Sequence, residues 1–226
     1  MPSITKSIQL LLLSIMGWSL IWIGTTIMGL MWNDYSIITH TVSVLGSAAA
    51  PAHLLMNIIF VIDGTLLIIS SFKLNRLLDK EITEIGSPHF IALAGVLLVL
   101  LAFFPGGEVI GLQVPTQTAH NLIAALLMIS FIFASVFFLI EMKNYDEWKL
   151  TLKIVLILTI LKVVLYTGSG LAIVLTGAIT HFAGLFQKLG LTMEGFWLIT
   201  ISYKFVQLDS IHYNWPLLKK LKDLVF

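Results

Sequence analysis

In 226 residues the chain carries 11% charged side chains against 58% apolar ones, and its 13 Lys and Arg nearly balance 12 Asp and Glu. Soluble domains carry about 25% charged residues, so too little polar surface is present to coat a water-soluble globule, and the net charge of +1 gives no reason to expect a nucleic-acid partner. The lack of cysteine excludes disulfides, thiolate metal sites and cysteine nucleophiles, which leaves histidine, carboxylates, hydroxyls and lysine for any chemistry.

A hydrocarbon core about 30 Å thick is crossed by about 20 apolar residues in a helix. Six apolar windows follow one another at residues 8–31, 54–72, 90–104, 119–140, 150–176 and 191–208. The first follows Lys6 and is long, with no small-residue cleavage site closing it, which predicts a retained helix rather than a signal peptide. The third is the shortest, and starts earlier at Pro88 or lies in thinner surroundings. The expectation is an all-α, polytopic membrane helix bundle with six transmembrane helices, forming a single domain over residues 1–226.

Charge orients that bundle. With six helices both termini share a side, and that side holds Lys6, then Lys73, Arg76 and Lys80, then Lys143, Lys149 and Lys153, then Lys204, Lys219, Lys220 and Lys222. The opposite side holds only Lys188, while Lys162 falls inside the fifth window. Lysine and arginine are retained on the cytoplasmic side, so both termini are expected in the cytoplasm of a multi-pass cell-membrane protein. Residues 211–226 mix Trp215, Leu217, Leu218, Leu221 and Leu224 with three lysines, a composition that predicts a short amphipathic helix on the inner leaflet.

This topology converts scattered histidines into a pattern. His40, His53, His120 and His181 share the outer side with Asp34, Tyr35, Ser43, Glu108, Gln117, Asn121, Gln187 and Glu194. Two or three imidazoles with a carboxylate would hold a divalent metal and lower the pKa of its bound water. Without a metal, His40 or His120 would act as general base for a hydroxyl such as Ser43. No HExxH, no histidine pair at i and i+4 and no GxSxG occurs, so spacing supports no particular metal or cofactor. The plain alternative is that interfacial histidines cap helix ends or meet lipid head groups.

Two charges fall at mid-membrane depth: Asp63 in the second window and Lys162 in the fifth. A lone charge there costs at least about 2.5–3.5 kcal/mol, and opposite charges at matching depth predict an intramembrane pair. Glycines at 17, 24 and 29, and at 168, 170 and 177, predict close helix approach.

The outer segments also resemble a known family. Tyr35-Ser36, then His40, Ser43 and Leu45-Gly46, is similar to the Tyr-Ser…His-x-x-Ser-x-Leu-Gly signature after the first helix of the domain of unknown function 998 family, six-span prokaryotic membrane proteins. Phe104-Pro105 followed by Glu108 and His120, and Gly184-Leu185-Phe186-Gln187-Lys188 leading to Trp197, resemble its two later motifs in the same order. The chain departs from the family pattern at Lys188, where Arg is more frequent, and at Val44, where an acidic residue is common. The resemblance implies a prokaryotic cytoplasmic membrane, and singles out His40, Ser43 and His120 as candidate catalytic residues with Glu108, Gln187 and Lys188 as candidate substrate-binding ones. More distantly the chain is similar to the Frag1, DRAM and Sfk1 family, some of whose members are linked to lipid remodelling.

Three functional readings follow. A polar site at the outer face would bind or modify a lipid head group, with Lys188 pairing a phosphate or carboxylate. A proton-coupled transporter would use Asp63 and Lys162 as midplane groups. A non-catalytic scaffold or accessory protein would pack against another membrane protein or a second copy of itself.

Overall fold

Long runs of Leu, Ile, Val and Phe become helices here because a helix satisfies every backbone N–H and C=O within the segment. The computed structural model describes residues 3–79, 84–106, 116–174 and 181–213. They form α1 (Ser3–Leu30), α2 (His53–Leu77), α3 (Ser87–Phe103), α4 (Gln117–Met142), α5 (Lys149–Val174) and α6 (Ala183–Tyr213). Short 3-10 turns cover Val42–Gly46 and Asp146–Trp148, and no strand occurs among the described residues. The expected amphipathic segment at 211–226 lies outside the described residues beyond Tyr213, where α6 is still helical.

Helix ends follow local chemistry. Pro88 sits in the first turn of α3, where its missing N–H costs nothing. The Glu141 carboxylate at the end of α4 accepts from the Ser87 N–H (2.9 Å) and the Ser87 hydroxyl (2.7 Å), placing negative charge at the α3 N-terminus. The chain leaves α3 at Phe104, the residue before Pro105, as the restriction on pre-proline residues requires.

Four helices, α1, α2, α4 and α5, are long and apolar enough to cross a membrane. At 17 residues α3 is shorter, about 26 Å at 1.5 Å per residue. The 31-residue α6 is long enough but carries Lys188, Glu194, Lys204 and Asp209 along its length.

The polarity of the helices is inverted relative to a water-soluble bundle. On α5 the buried positions are Val155, Thr159, Lys162, Tyr166, Ser169 and Ala172, spaced by fours and threes, while Leu156, Ile157, Ile160, Leu161, Val163 and Val164 are exposed. Inward faces elsewhere carry Ser7, Ser14, Ser70, Ser71, Ser130, Ser135 and Ser202. Large apolar side chains facing out and small or polar ones facing in are what lipid selects, because tails are as apolar as leucine and helix association depends on close packing and interhelical hydrogen bonds. One such bond joins the Ser14 and Ser202 hydroxyls of α1 and α6 at 3.0 Å. The chain is a membrane protein on this ground.

Each helix packs on its neighbours in sequence, and α6 returns to α1, closing a six-membered ring. The tightest seam is α2 against α3. A Cβ placed on Gly64 would stand 2.5 Å from the Gly95 carbonyl oxygen, and one on Gly95 would stand 2.5 Å from that of Gly64, so the two backbones touch where neither residue has a side chain. Among the expected small-residue positions, Gly24 meets Ile59 and Gly168 meets Phe186, whereas Gly170 faces open space. Two apolar clusters stack along the ring. One gathers Met56, Phe60, Leu98, Leu101, Leu127 and Tyr166 near the Val42–Gly46 turn; the other gathers Leu74, Ile91, Phe138, Trp148, Trp197 and Phe205 toward the opposite end.

Candidate functional site

The connection from α1 to α2 lies across one end of the ring and is fastened to α6. The Lys188 ammonium donates to the carbonyls of Ile37 and His40, both at 2.9 Å, and stands 5.0 Å from the Tyr35 ring centre. Gln187 Oε1 accepts from the Val42 N–H at 2.6 Å, and the Leu185 N–H donates to the Ile38 carbonyl at 2.9 Å. Gly184 lies directly against the backbone of His40, leaving no room for a Cβ. The first and third motifs are therefore two halves of one clasp. Trp32, Tyr35 and His40 stack their rings within it at 5.7–6.1 Å. Burial pushes the Tyr35 hydroxyl above the ordinary tyrosine range.

This clasp changes what His40 can do. The Ser36 N–H donates to His40 Nδ1 at 2.9 Å while the His40 N–H donates to the Ser36 carbonyl at 2.9 Å. With the Nδ1 lone pair occupied, a neutral ring carries its proton on Nε2 and has no free basic nitrogen. The Ser43 hydroxyl pairs with the Thr41 hydroxyl at 3.1 Å, so His40 and Ser43 are not joined as base and nucleophile.

The other histidines are likewise tied to local backbone. His120 Nδ1 bonds the Phe104 carbonyl at 2.8 Å, and His53 Nδ1 bonds the Ala50 carbonyl at 3.0 Å. His120 is buried under Gly106, whose Cα leaves no space for a side chain over the ring. The second motif is thus a brace between the end of α3 and the start of α4. Its acidic member, Glu108, lies outside the described residues, and among those described no three His, Asp or Glu gather as a metal-binding group.

The mid-depth charges do not meet as their depth predicts. Lys162, fully buried, donates to Glu194 Oε2 at 2.7 Å, not to Asp63. Its other two hydrogens go to the Phe131 carbonyl (3.4 Å) and the Ser135 hydroxyl, and the Trp197 ring centre lies 4.5 Å away. Ring order explains the choice. The neighbours of α5 are α4 and α6, which supply all four partners, while α2 lies across the ring. Glu194, expected among the outer polar groups, is instead an interior residue on the same α6 face as Gln187, seven residues apart. The inward face of α6 runs Ala183, Gln187, Gly190, Glu194, Trp197, Leu198, Ile201 and Phe205. That helical period was the signal by which Glu194 could have been found from sequence.

Asp63 occupies a different position. It is 8% exposed and, among the described residues, makes no hydrogen bond or ion pair. Gly17 of α1 leaves it room, since a Cβ there would stand 2.6 Å from Asp63 Oδ1. Two cavity lobes meet at this carboxyl, sharing Ile21, Asp63, Phe131 and Leu191. One holds about 50 Å³, bordered by Gly17, Trp18, Ser70 and Glu194. The other holds about 60 Å³ and reaches the clasp at Ser43 and Gln187, with walls of Phe60, Leu98, Leu101, Leu127 and Tyr166. All six helices contribute to it. Of the sequence-predicted residues, Ser43, Gln187 and Asp63 therefore border one space, whereas Lys188, His40 and His120 hold the frame around it. The hydroxyl of Tyr166 and the indole N–H of Trp18, both on its lining residues, have no hydrogen-bond partner among the described residues.

No curated protein and no solved structure matches the chain. The profile of a family described as "Protein of unknown function (DUF998)" matches residues 15–204, a stretch that takes in all three motifs, the buried Lys162–Glu194 pair and nearly the whole cavity lining. The chain belongs to the DUF998 family.

Proposed function

We propose that this protein crosses a cytoplasmic membrane six times with both termini inside the cell, and that it takes an amphiphilic lipid or lipid-derived molecule into its central cavity from the outer leaflet. The observation that carries the reading is the composition of the cavity: apolar walls from all six helices around a single unpartnered carboxyl, Asp63, with Ser43 and Gln187 at the clasped end. Apolar linings with a few convergent polar groups are the usual form of small-molecule sites, including those between helices of a bundle. The cation distribution supports the orientation, because the clasp lies at the end poor in Lys and Arg.

This reading moves the polar site from the surface to the interior. Lys188 gives two of its three hydrogens to backbone carbonyls and stands over the Tyr35 ring, and His40 Nδ1 is taken by Ser36, so both serve the clasp in this state. The residues left to meet a ligand are Ser43, Asp63, Tyr166 and Gln187.

Extraction of lipid from detergent-purified protein, followed by mass spectrometry, tests the proposal. An amphiphile bound in defined ratio to wild-type protein and reduced about five-fold or more by Ala124→Trp, which fills the cavity wall, is expected. Equal retention by the filled variant, or no bound amphiphile at all, overturns it.

A second reading, passage rather than storage, is favoured by one observation: the lobes extend to both sides of Asp63, toward Ser43 in one direction and Ser70 in the other. Transfer of a fluorescent lipid across proteoliposomes, abolished by Asp63→Leu, is the outcome this reading requires.

A further inference from the structure

Asp63 has no protein partner although the interior holds cations enough to match it. Among the described residues the buried Asp, Glu and Lys side chains are Asp63, Glu194, Lys162 and Lys188, whose charges sum to zero. Lys162 donates to Glu194, Ser135 and the Phe131 carbonyl, and Lys188 to the carbonyls of Ile37 and His40. The elements packed on α2 present no titratable side chain to the lobes: Gly17 and Trp18 of α1, Leu98 and Leu101 of α3, and Val42 and Ser43 of the turn border them there. Across the lobes stand Tyr166 of α5 and Glu194 of α6, with Lys162 bonded to Glu194.

The size and lining of the lobes suit water. At about 50 and 60 Å³ they hold about two waters each, a water's share of the liquid being roughly 30 Å³. A buried water takes about two to four polar partners. The smaller lobe is bordered by Asp63, Glu194, Trp18, Ser14 and Ser70, the larger by Asp63, Tyr166, Ser43 and Gln187. The Trp18 indole N–H and the Tyr166 hydroxyl have no hydrogen-bond partner among the described residues, and a water in either lobe would give them one.

The lobes end differently. Toward the clasp the larger one reaches Ser43, whose hydroxyl pairs with that of Thr41 at 3.1 Å, and both residues are half-buried. Away from the clasp the smaller one ends at Ser14 and Ser70. One turn further along their helices, Leu10 and Leu74 are fully buried in the apolar cluster with Trp197 and Phe205. Ionisable groups inside a membrane mark proton or substrate paths, and this one has polar access from a single side.

We propose that Asp63 is an interior proton-exchange site, joined by water in the larger lobe to the Ser43 and Thr41 hydroxyls of the clasp and sealed from the opposite end by the Leu10 and Leu74 cluster. The inference goes beyond the cavity-binding reading and does not depend on it. On release, the O–H bond of the Asp63 carboxylic acid breaks and its electron pair stays on the carboxylate. The proton forms a new O–H bond on the adjacent water, which passes a proton on toward the hydroxyls. Uptake is the reverse, and no oxidant or reductant takes part.

Infrared difference spectra of the full chain in detergent test the proposal. Wild-type protein is expected to show the C=O band of a carboxylic acid in apolar surroundings that is lost between acid and alkaline pH. The band is expected to move when aspartate carries a heavy-carbon label at its side-chain carboxyl, and to shift on transfer of folded protein to heavy water. Asp63→Asn is expected to remove it, and Asp63→Glu to keep it at a displaced frequency. Ala124→Trp, which fills the clasp-side lobe, is expected to slow the heavy-water shift several-fold. In wild type, where no variant has to fold, the absence of a titrating aspartic-acid band, or a band that does not shift in heavy water, overturns the inference. So does a band that survives in Asp63→Asn, and an unchanged rate in Ala124→Trp overturns the route through the clasp.

Discussion

Lys162 and Glu194 meet at 2.7 Å inside the ring, with the lysine side chain wholly buried and the glutamate 8% exposed. The pair joins α5 to α6, and through the Phe131 carbonyl and Ser135 hydroxyl it also joins α4, whose seam with α5 is the most sparsely packed of the ring. Removing one member of such a pair leaves the other charged and unsatisfied, while replacing both with apolar residues of similar volume removes the desolvation cost as well as the attraction.

Lys162→Met and Glu194→Leu are therefore each expected to destabilise the protein by about 3–5 kcal/mol, whereas the double variant recovers most of that loss. Thermal unfolding of the four proteins in one detergent measures the coupling. Additive losses in the double variant would mean that the contact carries no energy of its own.

The α2–α3 seam leads to a contrast between glycines. Gly64→Ala and Gly95→Ala each put a methyl 2.5 Å from a backbone oxygen of the facing helix, and overpacking of this kind costs about 1–3 kcal/mol or more. Gly170→Ala, on a helix with nothing within 4 Å, is expected to be neutral or to stabilise by up to about 1 kcal/mol through helix propensity. Unfolding temperatures of the three variants give the comparison, and a loss at Gly170 equal to that at Gly64 would show that the close approach is not the cause.

Lys188 fastens the α1–α2 connection through two carbonyls. Lys188→Met is expected to cost about 1.5–3 kcal/mol, the usual value of a hydrogen bond to a charged group, and to speed hydrogen exchange in residues 36–46 while leaving the Ser87–Glu141 end unchanged. Lys188→Arg keeps a donor that spans two acceptors and is expected to restore protection. If the methionine variant exchanges like wild type, the clasp is held by Gln187 and the ring stack rather than by the ammonium.

Much of the architecture was legible in one dimension. The first five apolar windows became helices within about five residues of their expected limits, with α3 starting at Ser87 rather than Phe90 because Pro88 and the Glu141 carboxylate favour a helix start there, whereas the sixth helix starts at Ala183 rather than Leu191 and so carries Gln187 and Lys188, expected in a connecting segment. The described residues of the three family motifs share one end of the ring, since successive helices alternate direction. Their roles were not legible. A histidine, a serine and a lysine grouped by topology suggest a catalytic cluster equally well as a clasp, and the difference lies in which nitrogen of His40 is already bonded and in where the hydrogens of Lys188 point.

From the sequence alone, hydropathy and charge determined that the chain is an all-helical membrane protein, because lipid leaves a backbone with few other options and because apolar length and lysine placement are properties of a linear string. Depth along each helix could be counted the same way, which is how Asp63 and Lys162 came to be matched. Azimuth could not: which helix stands beside which, and which face each turns inward, depend on the packing of all six at once. The closure of α6 onto α1 put Glu194 beside Lys162 and left Asp63 alone across the ring at the meeting of two cavities. That unpartnered carboxyl, invisible as such in the sequence, is what the tertiary structure contributes to a functional reading.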